Sequence, residues 1–378
     1  MLYSPLVRVL NLENLTQLVN QEIVIFGSGS TSEEFLDLLY SMKIIPKKIT
    51  ILDSYSEGYL RRNHGEFKVS KMTGKTSIYG ILIIASCQWQ KILETWQDVF
   101  PQEYWLISNE LMHLANPIAS LEQFYLSSEL IAQKNHTKTL IMDKFFDSNS
   151  QELYDLVFGL RTGMQEKVFM EEVLKRLGNI EESETKYSFL NNVGKFDFII
   201  DGGIYDGSEI PDLIAILSEN GEYHGLDPNL KSIESEFHNL TKESQLIRFH
   251  KTALWDSETV LPFNSERGAA SALLTKQDMD LRFSRNVVTT SLNSHFKGIK
   301  GKRCLVKLDV EGAEMRALQG GIDFFKENSI VFAISLYHRA SDLINIPEFI
   351  FSLNKDFHIK IGISNPTFID WVLYAFER

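Results

Sequence analysis

Cysteine is scarce: Cys87 and Cys304 are the only two in 378 residues, far apart and in no metal-ligand spacing. That excludes a disulfide framework and a cysteine zinc site, and it points to a reducing, cytoplasmic setting. Positive charge is also short. The 38 Lys and Arg against 50 Asp and Glu leave a formal charge of −12, the wrong sign for gripping a phosphate backbone over a broad face, so no nucleic-acid partner is expected. The longest nearly apolar run, Ile81 to Cys87, is too short to span a bilayer, and the first residues lack a basic segment leading into an apolar one. No membrane span or leader is expected, and no repeat or low-complexity stretch is present. What remains is an ordinary globular composition, 44% hydrophobic and 23% charged. At roughly 150 residues per domain the length suits two domains.

The amino-terminal third alternates strand and helix patterns. Glu22 to Phe26 is a short β-branched run that enters Gly27-Ser28-Gly29 and then Glu33 to Leu39, which is apolar at helical spacing. Ile49 to Leu52, Gly80 to Ala85 and Tyr104 to Ile107 give three further strands. Such alternation predicts a parallel, Rossmann-like sheet over residues 1–108. Gly27, Gly29 and Asp53 reproduce a dinucleotide fingerprint except for its third glycine, where Ser32 stands. That favours a docking or dimerisation platform, hence a homo-oligomer, over a nucleotide site. From 109 to 186 the β-rich runs stop. Ser150 to Leu160 and Gln165 to Leu177 show helical periodicity, broken at Gly163 and Gly178, and the stretch is expected to be a helical connector.

A second α/β domain is expected over 187–378. Phe196 to Ile200 is an apolar strand that runs into Asp201-Gly202-Gly203-Ile204-Tyr205-Asp206-Gly207. Glycines there let backbone N–H groups approach a ligand, and a following helix start adds a partial positive charge. The strand Glu222 to Leu226 ends in Asp227-Pro228-Asn229, where an acid is placed to accept hydrogen bonds from ribose hydroxyls. Further apolar runs lead to His250-Lys251-Thr252-Ala253, to Lys307-Leu308-Asp309-Val310-Glu311-Gly312-Ala313-Glu314, and to Tyr337-His338. Polar residues thus gather at strand carboxyl ends, where open α/β sheets bind ligands. His358 to Ser364 and Asp370 to Phe376, around Asn365-Pro366-Thr367, predict a closing antiparallel hairpin. Such a sheet suits a class I methyltransferase better than a dehydrogenase.

These residues together resemble the FkbM-type methyltransferases that use S-adenosylmethionine (SAM). The acid and glycines of that family's first motif are matched by Asp201, Gly203 and Gly207, its ribose acid and proline by Asp227 and Pro228, its K-[LI]-D-[VI]-E-G-A-E segment by Lys307 to Glu314, and its aromatic-histidine pair by Tyr337-His338. Ile204 departs from the usual alanine, and Asn293 stands where an aspartate is frequent. The resemblance implies methyl transfer from SAM to a hydroxyl of a sugar, glycan or related small molecule, with S-adenosylhomocysteine (SAH) as product. The cofactor set is then Asp201, Gly202, Gly203, Asp206, Gly207, Asp227, Pro228, Asn229, Thr252 and Ala253.

A sulfonium methyl is already activated, so the chemistry needs an acceptor oxygen placed in line and a group to take its proton. Asp309, Glu311 and His338 are the candidates. No metal ligand is assigned, although a divalent ion held by Asp309 with Glu311 or Glu314 would serve the same end. On composition alone Lys307, Glu314 and Arg316 read as strand-edge or solvated charges. His250 also ends a strand on the ligand side, and of the two His338 is the better catalytic candidate; the other seven histidines read as structural. A non-catalytic nucleotide-binding or scaffold protein of glycan assembly is the alternative reading.

Overall fold

The computed structural model describes residues 7–62, 64–86, 89–96, 98–101, 103–115, 121–164, 166–177, 186–230, 246–264, 273, 284–363 and 371–377. It divides into two compact units, one of residues 1–124 with 163–175, the other of residues 125–162 with 176–378. The helices of 109–186 fall partly in each unit.

The first unit is built on seven strands, β1 (Val7–Leu10), β2 (Glu22–Phe26), β3 (Lys48–Asp53), β4 (Gly58–Arg62), β5 (Gly65–Lys71), β6 (Ile81–Ile84) and β7 (Tyr104–Ile107), in the order β1-β7-β6-β2-β3-β5-β4. All neighbours are parallel except β4, which pairs antiparallel with β5. β1, β4 and β5 escaped the sequence reading because each carries only two or three apolar residues, beside charged ones. Ile23, Ile25, Phe35, Leu39, Ile51 and Ile83 form the core. At the fingerprint, Asp53 is already engaged. One of its oxygens accepts from the N–H and hydroxyl of Ser28, at 2.9 and 2.8 Å, and the other from the N–H groups of Tyr55 and Ser56. These bonds outweigh burial and hold its carboxyl below the ordinary range. Asp53 closes its own turn.

The second unit carries β8 (Phe196–Gly202), β9 (Leu217–Leu226), β10 (Ile247–His250), β14 (Arg303–Leu308), β15 (Ser329–Ser335), β16 (His358–Ile363) and β17 (Trp371–Phe376), in the order β10-β9-β8-β14-β15-β17-β16. The order reverses between β8 and β14, the topological switch point where ligands bind. β17 runs antiparallel to both β15 and β16. This is the doubly wound sheet with a closing antiparallel hairpin that the sequence predicts; the tip around Asn365-Pro366-Thr367 lies outside the described residues. β11 (Ala253–Leu254), β12 (Thr259–Asn264) and β13 (Ser284–Thr290) add a small three-stranded sheet. Behind the main sheet, helices Ser128–Met142 and Ser148–Arg161 are held by Lys134–Glu348 and Lys360–Asp147 ion pairs and by Tyr154, whose hydroxyl donates to the Leu343 carbonyl at 2.7 Å.

Beside β9 and β10 lies a cluster of stacked rings. His224 stacks on Phe198 and on His250, its Nδ1 3.0 Å from His250 Nε2, and His295 packs edge-on against His250. Burial pushes His224 and His250 down to about 4. The unfolded chain therefore binds protons that the folded chain refuses between about pH 6.5 and 4, and stability falls as pH drops through that window. For His224 alone the loss is on the order of 3 kcal/mol. Urea unfolding of a His224→Phe, His250→Leu double variant should show a flatter acid limb than the wild type; superimposable pH profiles would mean that these rings do not set it.

Candidate active site

A cavity of about 440 Å³ opens at the carboxyl ends of β8, β9, β11 and β14, within the roughly 300–1,000 Å³ typical of small-molecule sites. Its first wall is the turn after β8. Gly203 has φ +81°, and a Cβ there would fall 1.8 Å from the Asp309 carbonyl oxygen, so only glycine fits. Gly207 also has positive φ, as does Tyr205 at +52°. Ile204, the departure from alanine, is accommodated because Gly225 lies beneath it: a Cβ at Gly225 would meet Ile204 Cδ1 at 2.5 Å.

Asp227 ties this turn to β9. Its Oδ2 accepts from the N–H groups of Ile204 and Tyr205 at 3.1 and 3.3 Å, and its Oδ1 from the Asn229 N–H at 2.6 Å. Pro228 and Asn229 continue the wall and are tethered by Arg285. Ala253, Leu254, Phe263 and Leu273 supply an apolar flank.

The adjoining part of the lining is charged. Asp309 places Oδ2 3.0 Å from Lys186 Nζ and accepts the Tyr337 hydroxyl on Oδ1 at 2.8 Å. Although burial works the other way, Lys186 and His338 hold its carboxyl far below the usual range. Lys186 also reaches Glu209 at 3.2 Å, Glu209 lies 3.3 Å from Lys307, and Lys307 lies 2.8 Å from Asp201, whose other oxygen accepts the Tyr223 hydroxyl. Asp309, Lys186, Glu209, Lys307 and Asp201 thus form a chain of alternating charge that links the turn after β8 to the end of β14. Lys307 donates as well to the Gly203 carbonyl. Burial would lower its ammonium, but Asp201 and Glu209 outweigh burial and raise it.

Beyond Asp309 the chain turns sharply, with Glu311 at φ +54° and Gly312 at φ +89°. Glu311 Oε2 lies 3.3 Å from His338 Nε2, and Glu314 Oε1 lies 2.9 Å from His338 Nδ1. Burial alone would lower the imidazole; Glu314 and Glu311 raise it well above its ordinary value instead. Burial lifts the Glu311 carboxyl.

Gly203, Asp206, Asp227, Pro228, Asn229, Ala253, Asp309 and Glu311 of the expected set line the cavity. Asp201 and Gly202 lie underneath, Asp201 in its ion pair and Gly202 against Leu254 and Leu308. Gly207 shapes the turn, and Thr252 donates to the Val288 carbonyl. His338 stands behind Asp309 and Glu311. His250 belongs to the ring cluster. Two composition-based readings are corrected: Lys307 is 1% exposed and Glu314 0%, because each satisfies partners inside the site. Arg316 is the solvated charge expected, its side chain 56% exposed beside Asp256. Asn293 caps the helix Ile322–Glu327 by accepting from the Asp323 and Phe324 N–H groups.

Lys186, Glu209, Phe263 and Tyr337 line the cavity without having been assigned to it from sequence. Tyr337 was within reach as the neighbour of His338, and Glu209 as the acid just past the glycine turn. Lys186 and Phe263 carried no local signal.

Residues 201–358 match the family model for the methyltransferase FkbM domain. No curated protein matches the chain. Among solved structures, the methyltransferase FkbM from Methylobacillus flagellatus KT is similar over 96% of this chain and 93% of its own, at 15% identity and a TM-score of 0.58. The O-methyltransferase TomG from Streptomyces achromogenes, solved with SAM, aligns with 65% of this chain and 96% of its own at 10% identity and a TM-score of 0.32.

Proposed function

We propose, from the match of residues 201–358 to the methyltransferase FkbM domain model, that the protein transfers the methyl group of SAM to a hydroxyl of a sugar, glycan or related small molecule. The observation that supports this best is the pairing of two dissimilar parts in one cavity lining. The Gly203 to Asp206 turn, Asp227, Asn229 and the apolar flank suit an adenosine and its ribose, while Asp309, Lys186 and Tyr337 add polar groups to the same lining. In this reading the donor's sulfonium lies between the two parts. Asp309, held from both sides by Lys186 and Tyr337, points the acceptor oxygen at the methyl, and Glu311, whose carboxyl burial lifts, receives its proton as the new C–O bond forms and the C–S bond breaks. The carboxylates of Asp309, Glu311 and Glu209 match a cationic donor.

Calorimetric titration of the full chain with SAH, followed by turnover on candidate hydroxyl acceptors with SAM, tests the reading. Binding with methyl transfer to oxygen supports it. Absence of SAH binding overturns it, and transfer to nitrogen or carbon overturns its acceptor.

Asp227→Ala sharpens the test. It removes the ribose acceptor and releases the N–H groups of Ile204 and Tyr205 that shape the turn. Bonds to a charged group contribute roughly 1.5–3 kcal/mol each, so SAH affinity should fall at least tenfold. An unchanged dissociation constant in a folded variant would move the donor elsewhere.

A further inference from the structure

We propose that Asp309, Glu314 and His338 bind one hard divalent cation, Mg²⁺ or Mn²⁺, at the inner edge of the cavity. One donor atom from each lies within 4.8 Å of the others, and they are the group of this kind found among the described residues. The residues arrive from two neighbouring parallel strands: Asp309 directly follows β14, Glu314 opens the helix Glu314–Gln319, and His338 follows β15. The switch-point geometry that builds the cavity therefore also builds this cluster.

Two features set it apart from an ordinary acidic patch. The first is orphaned polarity under full burial. Glu314 is 0% exposed, and its Oε1 is used by the Val310 N–H and the imidazole, yet its Oε2 has no hydrogen-bond partner among the described residues. The His338 side chain is 9% exposed; its Nε2 lies 3.7 Å from Asp309 Oδ1 and 3.3 Å from Glu311 Oε2 without the alignment of a hydrogen bond. A buried carboxylate oxygen without a donor is costly, and a bound cation removes that cost. The second feature is unbalanced charge. Asp309, Glu311 and Glu314 surround a single imidazole, and the nearest ammonium, Lys186, is divided between Asp309 and Glu209.

The donor chemistry selects the ion. Carboxylate oxygens with one imidazole, which must give up a proton to ligate, and no thiolate suit Mg²⁺ or Mn²⁺ better than soft metals. Asp309 and Glu311 also line the cavity, so the ion would face the acceptor, where, on the methyltransferase reading, it lowers the pKa of the acceptor hydroxyl. The cation site itself does not depend on that reading.

The test is Mn²⁺ binding by the full chain after chelator treatment, followed by electron paramagnetic resonance and calorimetry, with SAH affinity measured on the same preparation. One Mn²⁺ per chain is expected, weakened at least tenfold in Glu314→Gln and in His338→Gln, with circular dichroism showing both variants folded. Mg²⁺ should compete for the site. Failure of Mn²⁺, Mg²⁺ and Zn²⁺ to bind at millimolar concentration overturns the proposal, as does Mn²⁺ binding that neither variant changes. SAH binding without Mn²⁺ would sink the cation site alone; Mn²⁺ binding without SAH would sink the methyltransferase reading alone.

Discussion

Asp309→Asn is expected to lower the single-turnover rate of methyl transfer by about 10²–10⁴-fold, the usual contribution of a positioned base or orienting carboxylate, while SAH affinity changes little. The substitution keeps the side chain's shape and one acceptor oxygen, so the Tyr337 hydroxyl retains a partner. It removes the charge that faces Lys186 and the cavity. A carboxylate whose only task is to satisfy backbone donors would behave in the opposite way, losing melting temperature and keeping its rate per folded molecule. Among the described residues the Asp309 carboxylate meets side chains: Lys186, Tyr337 and His338. Melting temperature, SAH affinity and single-turnover rate on one preparation separate the two outcomes. Near-normal turnover would remove Asp309 from the mechanism.

Lys307→Met should be the most damaging single substitution for stability. It removes the ammonium between Asp201 and Glu209 and the donor to the Gly203 carbonyl, and Asp201 is left fully buried against the Tyr223 hydroxyl alone. Breaking a buried pair by removing one partner costs about 3–5 kcal/mol, because the other charge stays behind without compensation. The companion variant decides whether charge is the cause: Asp201→Asn with Lys307→Met leaves no unpaired ion on β8 or β14 and should recover much of the loss. Urea unfolding at pH 7 measures both. A single variant within 1 kcal/mol of wild type would show that the chain of alternating charge does not hold the two loops together.

Signals of the candidate site were legible in the sequence wherever they are local. An apolar strand, a glycine turn and an acid after the next strand are contiguous patterns, and each constrains the backbone at its own position; Gly203 is glycine because the Asp309 carbonyl lies where its Cβ would be. The same holds for the 307–314 segment and for the family resemblance that rests on it. Tertiary structure decided which of these groups meet. Lys186 enters the cavity from a stretch with no strand or glycine signal, Phe263 comes from β12 of the small accessory sheet, where Pro262 interrupts the apolar run, and Leu273 meets Phe263 through an isolated bridge. Burial was also decided in three dimensions. Composition treats a lysine or glutamate as solvated, and that fails for Lys307 and Glu314 because their compensating charges are supplied by segments distant in sequence, among them Asp201, Glu209 and His338. The departure at Ile204 was settled by Gly225, 21 residues on and one strand away in the sheet, since the space for a larger side chain belongs to the packed pair and not to either residue.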